Sequence, residues 1–376
     1  ISITIIFVLI ITSFLHINHK NYGKHKEIRR NYVSHPEGLP TKGFAALTSF
    51  GFENLKADLY WIQTIQYIGG TAASSEYKKY LFAVIDTITH LNPYFEHPYI
   101  IGQLLLPGEN QRYEDLTRDE LTKHNKEAID LGLKGMNNFC DPLILEKIRG
   151  ENNLLKIWSN DEYKNPCKSY KIPYYLAYVY FHYNNEPAIA SEYYKISSTH
   201  DDAVEGAKSM AAIMAGKGGD REKSIFMFLN IAESVEVEKT SCGVFANELN
   251  LLAQRIFITK DVTLSGEIIK QIQTLRENIF GLFKEDEENQ MSDTSCMTFL
   301  NKANREFNLA YVVQGNEVYK KDHEGNSAYD AQELFDKGYI DFLPLDYQQY
   351  EDQGIRYMYN EDIGDFDYKM YYGAAE

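Results

Sequence analysis

The centre of the chain repeats a spacing that matches one helical hairpin. Two stretches align at an offset of 34 residues, which places Tyr174 on Lys208, Phe181 on Ala215, Ala190 on Ser224 and Tyr194 on Phe228. A period of this length is typical of two antiparallel helices joined by a short turn. Such a unit does not bury its apolar face alone and must stack on its neighbours. The offset therefore predicts a stack of helical hairpins.

Helical periodicity continues on both sides of this pair. Further hairpins are predicted from residues 52–68 with 77–91, 95–106 with 125–138, and 244–257 with 264–283, followed by a last helix at 298–319 and a helix candidate at 144–158. In the first of these helices, Leu55, Leu59, Ile62 and Ile65 recur on nearby turns, which is the pattern of an amphipathic helix. We expect that helix to end at Gly69-Gly70.

The C-terminal part of the chain is predicted to contain β-structure as well as helix. A short helix is predicted at residues 331–338, and alternation of apolar and polar side chains predicts two strands at 355–359 and 366–372 around an acidic turn at 360–364. Four oxygen-bearing side chains could also hold calcium: Asn360, Asp362, Asp365 and Asp367. They do not follow the calcium-loop pattern, so an ordinary acidic turn is the favoured interpretation.

The chain begins with an uncharged apolar stretch at residues 1–15. As a helix it would cover about 22 Å, whereas crossing a bilayer takes about 30 Å. No signal-peptidase site follows it, which favours an anchor over a signal peptide. We therefore expect a single-pass membrane protein with its body outside the cytoplasm. A buried core element and a cytoplasmic body remain alternatives, the latter because Lys20, Arg29 and Arg30 follow the segment.

These observations divide the chain into four predicted parts. They are a transmembrane anchor at residues 1–19, a linker at 20–51, a helical solenoid at 52–319, and a C-terminal cap with a short helix and a β-hairpin at 320–376. The expected fold class is all-α, a solenoid of helical hairpins with this anchor and hairpin added.

Charge and motif content narrow the function. The net charge of −16 argues against nucleic acid as a partner, because phosphate backbones need clustered Lys and Arg. No nucleotide loop, nucleophile elbow or zinc motif is present, so we expect no cofactor, no metal, no small-molecule substrate and no enzymatic activity. Cys140, Cys167, Cys242 and Cys296 permit two disulfides, including one between the first two, although buried free thiols are the commoner outcome.

The central hairpins resemble divergent tetratricopeptide repeats. The consensus order of aromatic and small residues is followed well by Tyr174, Ala177, Phe181, Ala190 and Tyr194, and partly by Lys208, Ala211, Ala212, Ala215 and Phe228. The glycine expected early in the first helix is replaced by Tyr178 and Ala212, and no proline closes either repeat. The motifs ADLYWI at 57–62 and LNPYF at 91–95 also resemble uncharacterised bacterial membrane-anchored tetratricopeptide proteins. The resemblance covers roughly residues 52–233.

The resemblance implies a concave face lined by the first helix of each hairpin. Carried over by position, the partner-binding residues would be Ile172, Tyr175, Val179, His182 and Tyr183. A groove lined by tyrosine can hold an extended or helical peptide. The alternative is that these tyrosines pack between helices.

Three functional hypotheses follow. The leading one is a membrane-anchored scaffold that binds a protein or peptide partner on the concave face. The second is a structural component of a bacterial envelope, secretion or pilus assembly, in which the tail docks. The third is an all-α enzyme without a recognisable motif, such as a glycan hydrolase, which would need a deep pocket with converging carboxylates.

Overall fold

Helices make up most of the described residues. The computed structural model describes residues 12, 13, 16, 39–71, 77–108, 116–234, 241–283, 290–346 and 355–370. One antiparallel sheet of two strands accompanies the helices in this part of the chain, so the expectation of a predominantly α-helical fold is confirmed. Backbone contacts divide the chain into unit 1, Ile1–Asn138, and unit 2, Phe139–Glu376.

Unit 1 contains α1 to α5, whose bounds are α1 Lys42–Leu47, α2 Glu53–Thr71, α3 Lys78–Leu91, α4 Glu96–Leu105 and α5 Arg118–Phe139. Helix α5 begins seven residues before the predicted start, because Thr117 and Glu120 form a reciprocal capping box at 2.9 and 3.3 Å. Gly69 and Gly70 lie inside α2, so the predicted end of this helix is wrong. Glycine weakens a helix by about 1 kcal/mol without forbidding it.

Packing in unit 1 centres on α2 and α3. The buried cluster consists of Ala45, Ala57, Val84, Ile88 and Leu91, with Tyr60 and Trp61 packed against it. A Cβ added to Gly102 in α4 would lie 2.5 Å from the Leu131 side chain, so this glycine allows α4 and α5 to approach closely.

Unit 2 contains α6 to α15 and both strands. The bounds are α6 Pro142–Gly150, α7 Leu154–Ser159, α8 Lys171–His182, α9 Pro187–Ser198, α10 Gly206–Lys217, α11 Arg221–Ser234, α12 Ser241–Ala253, α13 Gly266–Phe283, α14 Gln290–Asp322, α15 Ala331–Asp336, β1 Ile355–Asn360 and β2 Asp365–Met370. A π-helix, Gln254–Ile258, continues α12. The hairpins α8–α9 and α10–α11 lie where the 34-residue offset predicts two helical hairpins. Their turns use left-handed backbone at Asn185 and Gly219.

The single helix predicted at residues 144–158 is wrong. The chain leaves helical geometry at Glu151, and Asn153 starts α7 by accepting a hydrogen bond from the Lys156 N–H at 3.0 Å. A new N-terminal cap inside the predicted range therefore makes two helices, α6 and α7.

Both cysteine pairs are oxidised. Cys140 bonds to Cys167, and Cys242 in α12 bonds to Cys296 in α14. The expectation of buried free thiols is therefore wrong, because folding brings each sulfur onto its partner. The pairing of Cys140 with Cys167 is the one that the sequence suggested.

Helix α14 carries a row of buried polar side chains in its middle. They are Asn301, Asn304, Arg305, Glu306, Asn308 and Asn316. Apolar periodicity is weak there because these polar groups face protein rather than water. The predicted last helix, residues 298–319, is present and extends further at both ends.

The C-terminal helix and hairpin are confirmed. In the sheet, Tyr357 lies opposite Tyr368 and Tyr359 opposite Phe366. Tyr357 and Phe366 are buried, while the turn between the strands carries Gly364 in the left-handed region. The hairpin belongs to the core of unit 2 rather than to a free tail.

The predicted single-pass membrane localisation is wrong. No helix of the described residues combines the length and the apolar character needed to cross a bilayer. The longest, α14, has 33 residues but includes Arg305, Glu306 and several lysines. The predicted anchor at residues 1–19 lies outside the described residues except at positions 12, 13 and 16.

Candidate functional site

The five predicted partner-binding residues lie on α8 and just after it, in two different environments. Ile172 and Val179 are fully buried, and their role in partner binding stays a prediction. They face α9 and the core because they share a helix side with Leu176. Tyr175 and Tyr183 are half-buried and His182 is exposed. The partner-binding role of these three residues stays a prediction.

The aromatic rings around α8 pack mainly on each other. Tyr178 lies 4.1 Å from His182 and 6.0 Å from Tyr183, measured between ring centroids. Tyr174 meets Tyr194 of α9 edge to face at 5.3 Å. Burial lowers the pKa of His182, which therefore stays uncharged at neutral pH. Tyr174 therefore packs between helices. The rings of Tyr178, His182 and Tyr183 instead form a small aromatic surface at the end of α8.

A larger exposed surface lies in unit 1. Eight large apolar side chains of α1, α2 and the turn between them are each at least 45% exposed: Phe44, Leu47, Phe50, Phe52, Leu55, Leu59, Ile62 and Ile65. We call these eight residues the apolar face. Single exposed apolar side chains are ordinary, but eight within a segment of 22 residues are typical of an interaction site.

The apolar face includes the stripe that the sequence places on one side of α2. Leu55, Leu59 and Ile62 form this stripe, but the core of unit 1 contacts the opposite side of the helix. Ala57 on that side has no exposed surface, and Trp61 packs edge to face on Phe95 at 5.9 Å. The small Ala57 side chain allows α2 to lie close to α3. Helix α2 therefore has one apolar side in the core and another in solvent.

The turn before α2 holds Phe50 outward. Its φ angle of 52° lies in the left-handed region, which is strained for a large side chain, and Gly51 follows with a φ of 85°. Phe50 is 85% exposed, the largest value in the apolar face. Strained backbone that presents an apolar ring to solvent is more typical of a functional surface than of a packing solution.

Acidic groups flank the apolar face. Asp58 is exposed, and Glu53 accepts a hydrogen bond from Ser49, which lowers the pKa of the Glu53 carboxyl and keeps it ionised. The cation of α2, Lys56, instead turns toward α1 and donates to the Ala45 carbonyl at 2.8 Å. The charged groups that border the apolar face are therefore negative.

The acidic turn of the tail is used inside the protein. Asp365 pairs with Arg221 at 3.0 Å, and Asp367 pairs with Lys217 at 2.7 Å. Asn185 reaches the turn and donates to the Asp362 carbonyl at 2.9 Å. Within the described part of the chain, no group of three His, Cys, Asp or Glu side chains could hold a metal ion. These acids therefore fasten the hairpin to α10 and α11.

Comparison with known proteins provides no relative. No protein-family model, no curated protein and no solved structure matches this chain. The tetratricopeptide resemblance consequently stays a prediction.

The sequence did contain a signal for the apolar face. The run from Phe44 to Phe52 holds three phenylalanines and a leucine, and the helix after it carries apolar side chains on more than one side. A helix that is apolar on both sides needs a neighbour on both sides. This excess of apolar side chains could have been noticed without coordinates.

Proposed function

We propose that this protein is a helical scaffold that binds another protein, and that the partner docks an α-helix on the apolar face of α1 and α2. The observation that carries the proposal is the exposure of eight large apolar side chains on two successive helices and the turn between them. Covering a half-exposed Leu or Ile contributes about 1 kcal/mol, so the four such side chains of α2 supply several kcal/mol.

The shape of the face favours a helix as the occupant. Leu55, Leu59, Ile62 and Ile65 follow spacings of four, three and three residues, which is the spacing with which one helix packs along another. The stripe from Leu55 to Ile65 spans ten residue steps of this 19-residue helix, so it is about 15 Å long and roughly one helix wide. A stable dimer of two copies normally buries about 800 Å² per partner, more than such a strip offers.

Charge indicates which kind of helix fits. Glu53 and Asp58 border the face, and the whole chain carries a net charge of −16. A partner helix with apolar residues on one side and Lys or Arg at its edges would complement both features. Steering by these charges weakens as the salt concentration rises.

The tetratricopeptide-like solenoid is part of the proposal. Its support is the spacing of α8–α9 and α10–α11 and the close fit of their turns, where a Cβ on Gly218 would lie 2.8 Å from the Ala188 backbone. In this arrangement Tyr175, His182 and Tyr183 form a second, smaller contact surface.

Photo-crosslinking followed by a binding measurement tests the proposal. A photoreactive amino acid replaces Ile62 in one preparation and Leu251, an exposed residue of unit 2, in a control. The crosslinked segment of any captured protein is mapped, synthesised as a peptide and titrated against the purified chain. We expect a basic amphipathic helix whose affinity falls at least about tenfold in Leu59→Glu/Ile62→Glu and stays unchanged in Leu251→Glu.

Three results would contradict the proposal. A crosslink from position 62 only to a second copy of the chain would identify a self-association surface. Equal capture from positions 62 and 251 would indicate non-specific adhesion. A mapped peptide that binds the double variant as tightly as the unmodified chain would place the contact elsewhere. Both substituted positions are exposed, so the fold should tolerate the change.

A further inference from the structure

Unit 2 contains an open cavity of about 530 Å³ between the segment that precedes α7, the first half of α11 and the end of α12. Its size falls within the roughly 300 to 1,000 Å³ of small-molecule sites. The lining combines side-chain amides, carboxylates and two apolar groups, Phe226 and Ile258. The apolar face lies in the other unit, so this cavity is independent of the proposed function.

The inner wall of the cavity holds an amide with an unused donor. Asn230 is only 6% exposed, and its side-chain oxygen accepts a hydrogen bond from the Leu154 N–H at 3.0 Å. Among the described residues its Nδ2 group has no hydrogen-bond partner. The amide is therefore anchored by its oxygen, and its Nδ2 donor is free to bind an acceptor that a ligand or water supplies in the cavity.

The rim of the cavity offers acceptors. Asp220 begins α11, and one of its carboxylate oxygens accepts from the Lys223 N–H at 3.0 Å, which leaves the other oxygen available. Glu222 has no hydrogen bond or ion pair among the described residues. Partial burial and the neighbouring Asp220 raise the pKa of Glu222, and Lys260 opposes this shift.

The one lysine of the lining is already committed. Lys223 forms an ion pair with Glu192, and Glu192 also pairs with the buried Lys195 at 2.9 Å. The third carboxylate, Glu151, pairs with Lys156 outside the cavity. A ligand in the cavity therefore meets an amide donor inside, carboxylate acceptors at the rim and an aromatic wall. The lysine of the lining is paired, and Lys260 acts on Glu222 from outside the lining.

We propose that this cavity binds an uncharged saccharide. A sugar hydroxyl both donates and accepts. Glu222 lies about 12 Å along α11 from Asn230, so one sugar of a disaccharide can accept from Asn230 Nδ2 while the other donates to the carboxylates of the rim. The apolar side of the ring lies against Phe226. A charged amine would leave the Asn230 donor unused, and an anion would face the two carboxylates.

Calorimetric titration tests this proposal with four neutral probes: maltose, cellobiose, lactose and the disaccharide of N-acetylglucosamine. Asn230→Asp keeps the oxygen that caps Leu154 and removes the donor, Glu222→Gln weakens the rim acceptor, and Phe226→Leu removes the ring. We expect at least one probe to bind and each variant to weaken it about tenfold. The control Glu205→Gln changes an exposed carboxylate outside the lining and should leave binding unchanged.

The outcomes are separable from those of the docking experiment. Saccharide binding should be equal in the unmodified chain and in Leu59→Glu/Ile62→Glu. No heat and no rise in melting temperature with any probe at 10 mM would overturn the proposal, as would binding that all three cavity variants retain. Binding of spermidine that depends on Glu222, in place of sugar binding, would make the cavity a cation site and equally overturn it. Glu222 is exposed, so its variant serves as the folded reference.

Discussion

Replacing Arg305 with methionine should strongly destabilise unit 2, because this arginine neutralises a carboxylate that has no access to water. Arg305 binds Asp346 through two hydrogen bonds of 2.7 and 2.9 Å, and the Asp346 side chain is completely buried. Tyr357 of β1 donates to the same carboxylate at 3.0 Å, and the guanidinium lies 3.7 Å above the Tyr368 ring. One arginine thus joins α14, the segment before β1 and both strands.

The expected loss in the free energy of unfolding follows from the Asp346 charge that remains after Arg305 is removed. Removing one partner of a buried ion pair costs about 3 to 5 kcal/mol, because the other charge is left without compensation. Replacing both partners in Arg305→Met/Asp346→Leu removes the stranded charge and should cost less than Arg305→Met alone plus Asp346→Leu alone. With a urea dependence of about 3 kcal/mol per molar, the single change lowers the midpoint by at least about 1 M.

Urea denaturation followed by tryptophan fluorescence measures this effect. The chain has two tryptophans, so a Trp61→Phe background leaves Trp158 as the reporter of unit 2. Trp158 donates to the Ser198 hydroxyl at 3.2 Å and senses the packing of α7 on α9. A loss below about 1 kcal/mol in Arg305→Met, or single effects that simply add in the double variant, would refute the account of the hairpin as an integral part of unit 2.

Two further predictions concern the disulfides and acid stability. Serine at both Cys242 and Cys296 should lower the free energy of unfolding by about 4 kcal/mol, because the bond spans 54 positions, and an unchanged urea midpoint would contradict this. Hydrogen bonds from Lys337, the Tyr329 N–H and Tyr319 lower the pKa of Glu333 to about 2. Its stabilisation is complete above the ordinary value of 4.5 and is lost toward pH 2, so Glu333→Gln should flatten the melting temperature against pH in that window, and parallel curves would contradict it.

The central hairpins were predictable because their signals are local. Pro187 at the first position of α9 and Gly219 after α10 act within a few residues of the helix ends that they define. The C-terminal strands were predictable for the same reason, since alternation and a glycine turn are contained in about fifteen residues. Two predictions of helix bounds were wrong, the single helix at 144–158 and the helix end at Gly69. In each case a helical pattern competed with a local signal for a helix boundary.

The candidate surfaces were harder to predict. Periodicity correctly grouped Leu55, Leu59 and Ile62 on one side of a helix, but it carried no information about which side meets α3. Ile172 and Val179 show the converse case, since a repeat pattern placed them on a binding face and packing placed them in the core. The cavity around Asn230 is formed by segments almost 100 residues apart, so no local sequence pattern could have predicted it.

The amino-acid order thus specified that most of the chain is helical, where the central helical hairpins lie, that a β-hairpin follows them, and that the net charge is negative. These properties depend on dihedral preferences, caps and turns, which act over a few residues. Folding in three dimensions settled the direction of the apolar face, the pairing of the four cysteines and the burial of Arg305 with Asp346. Each of these requires the position of a distant neighbour, because burial and pairing are relations between segments and no single segment contains them.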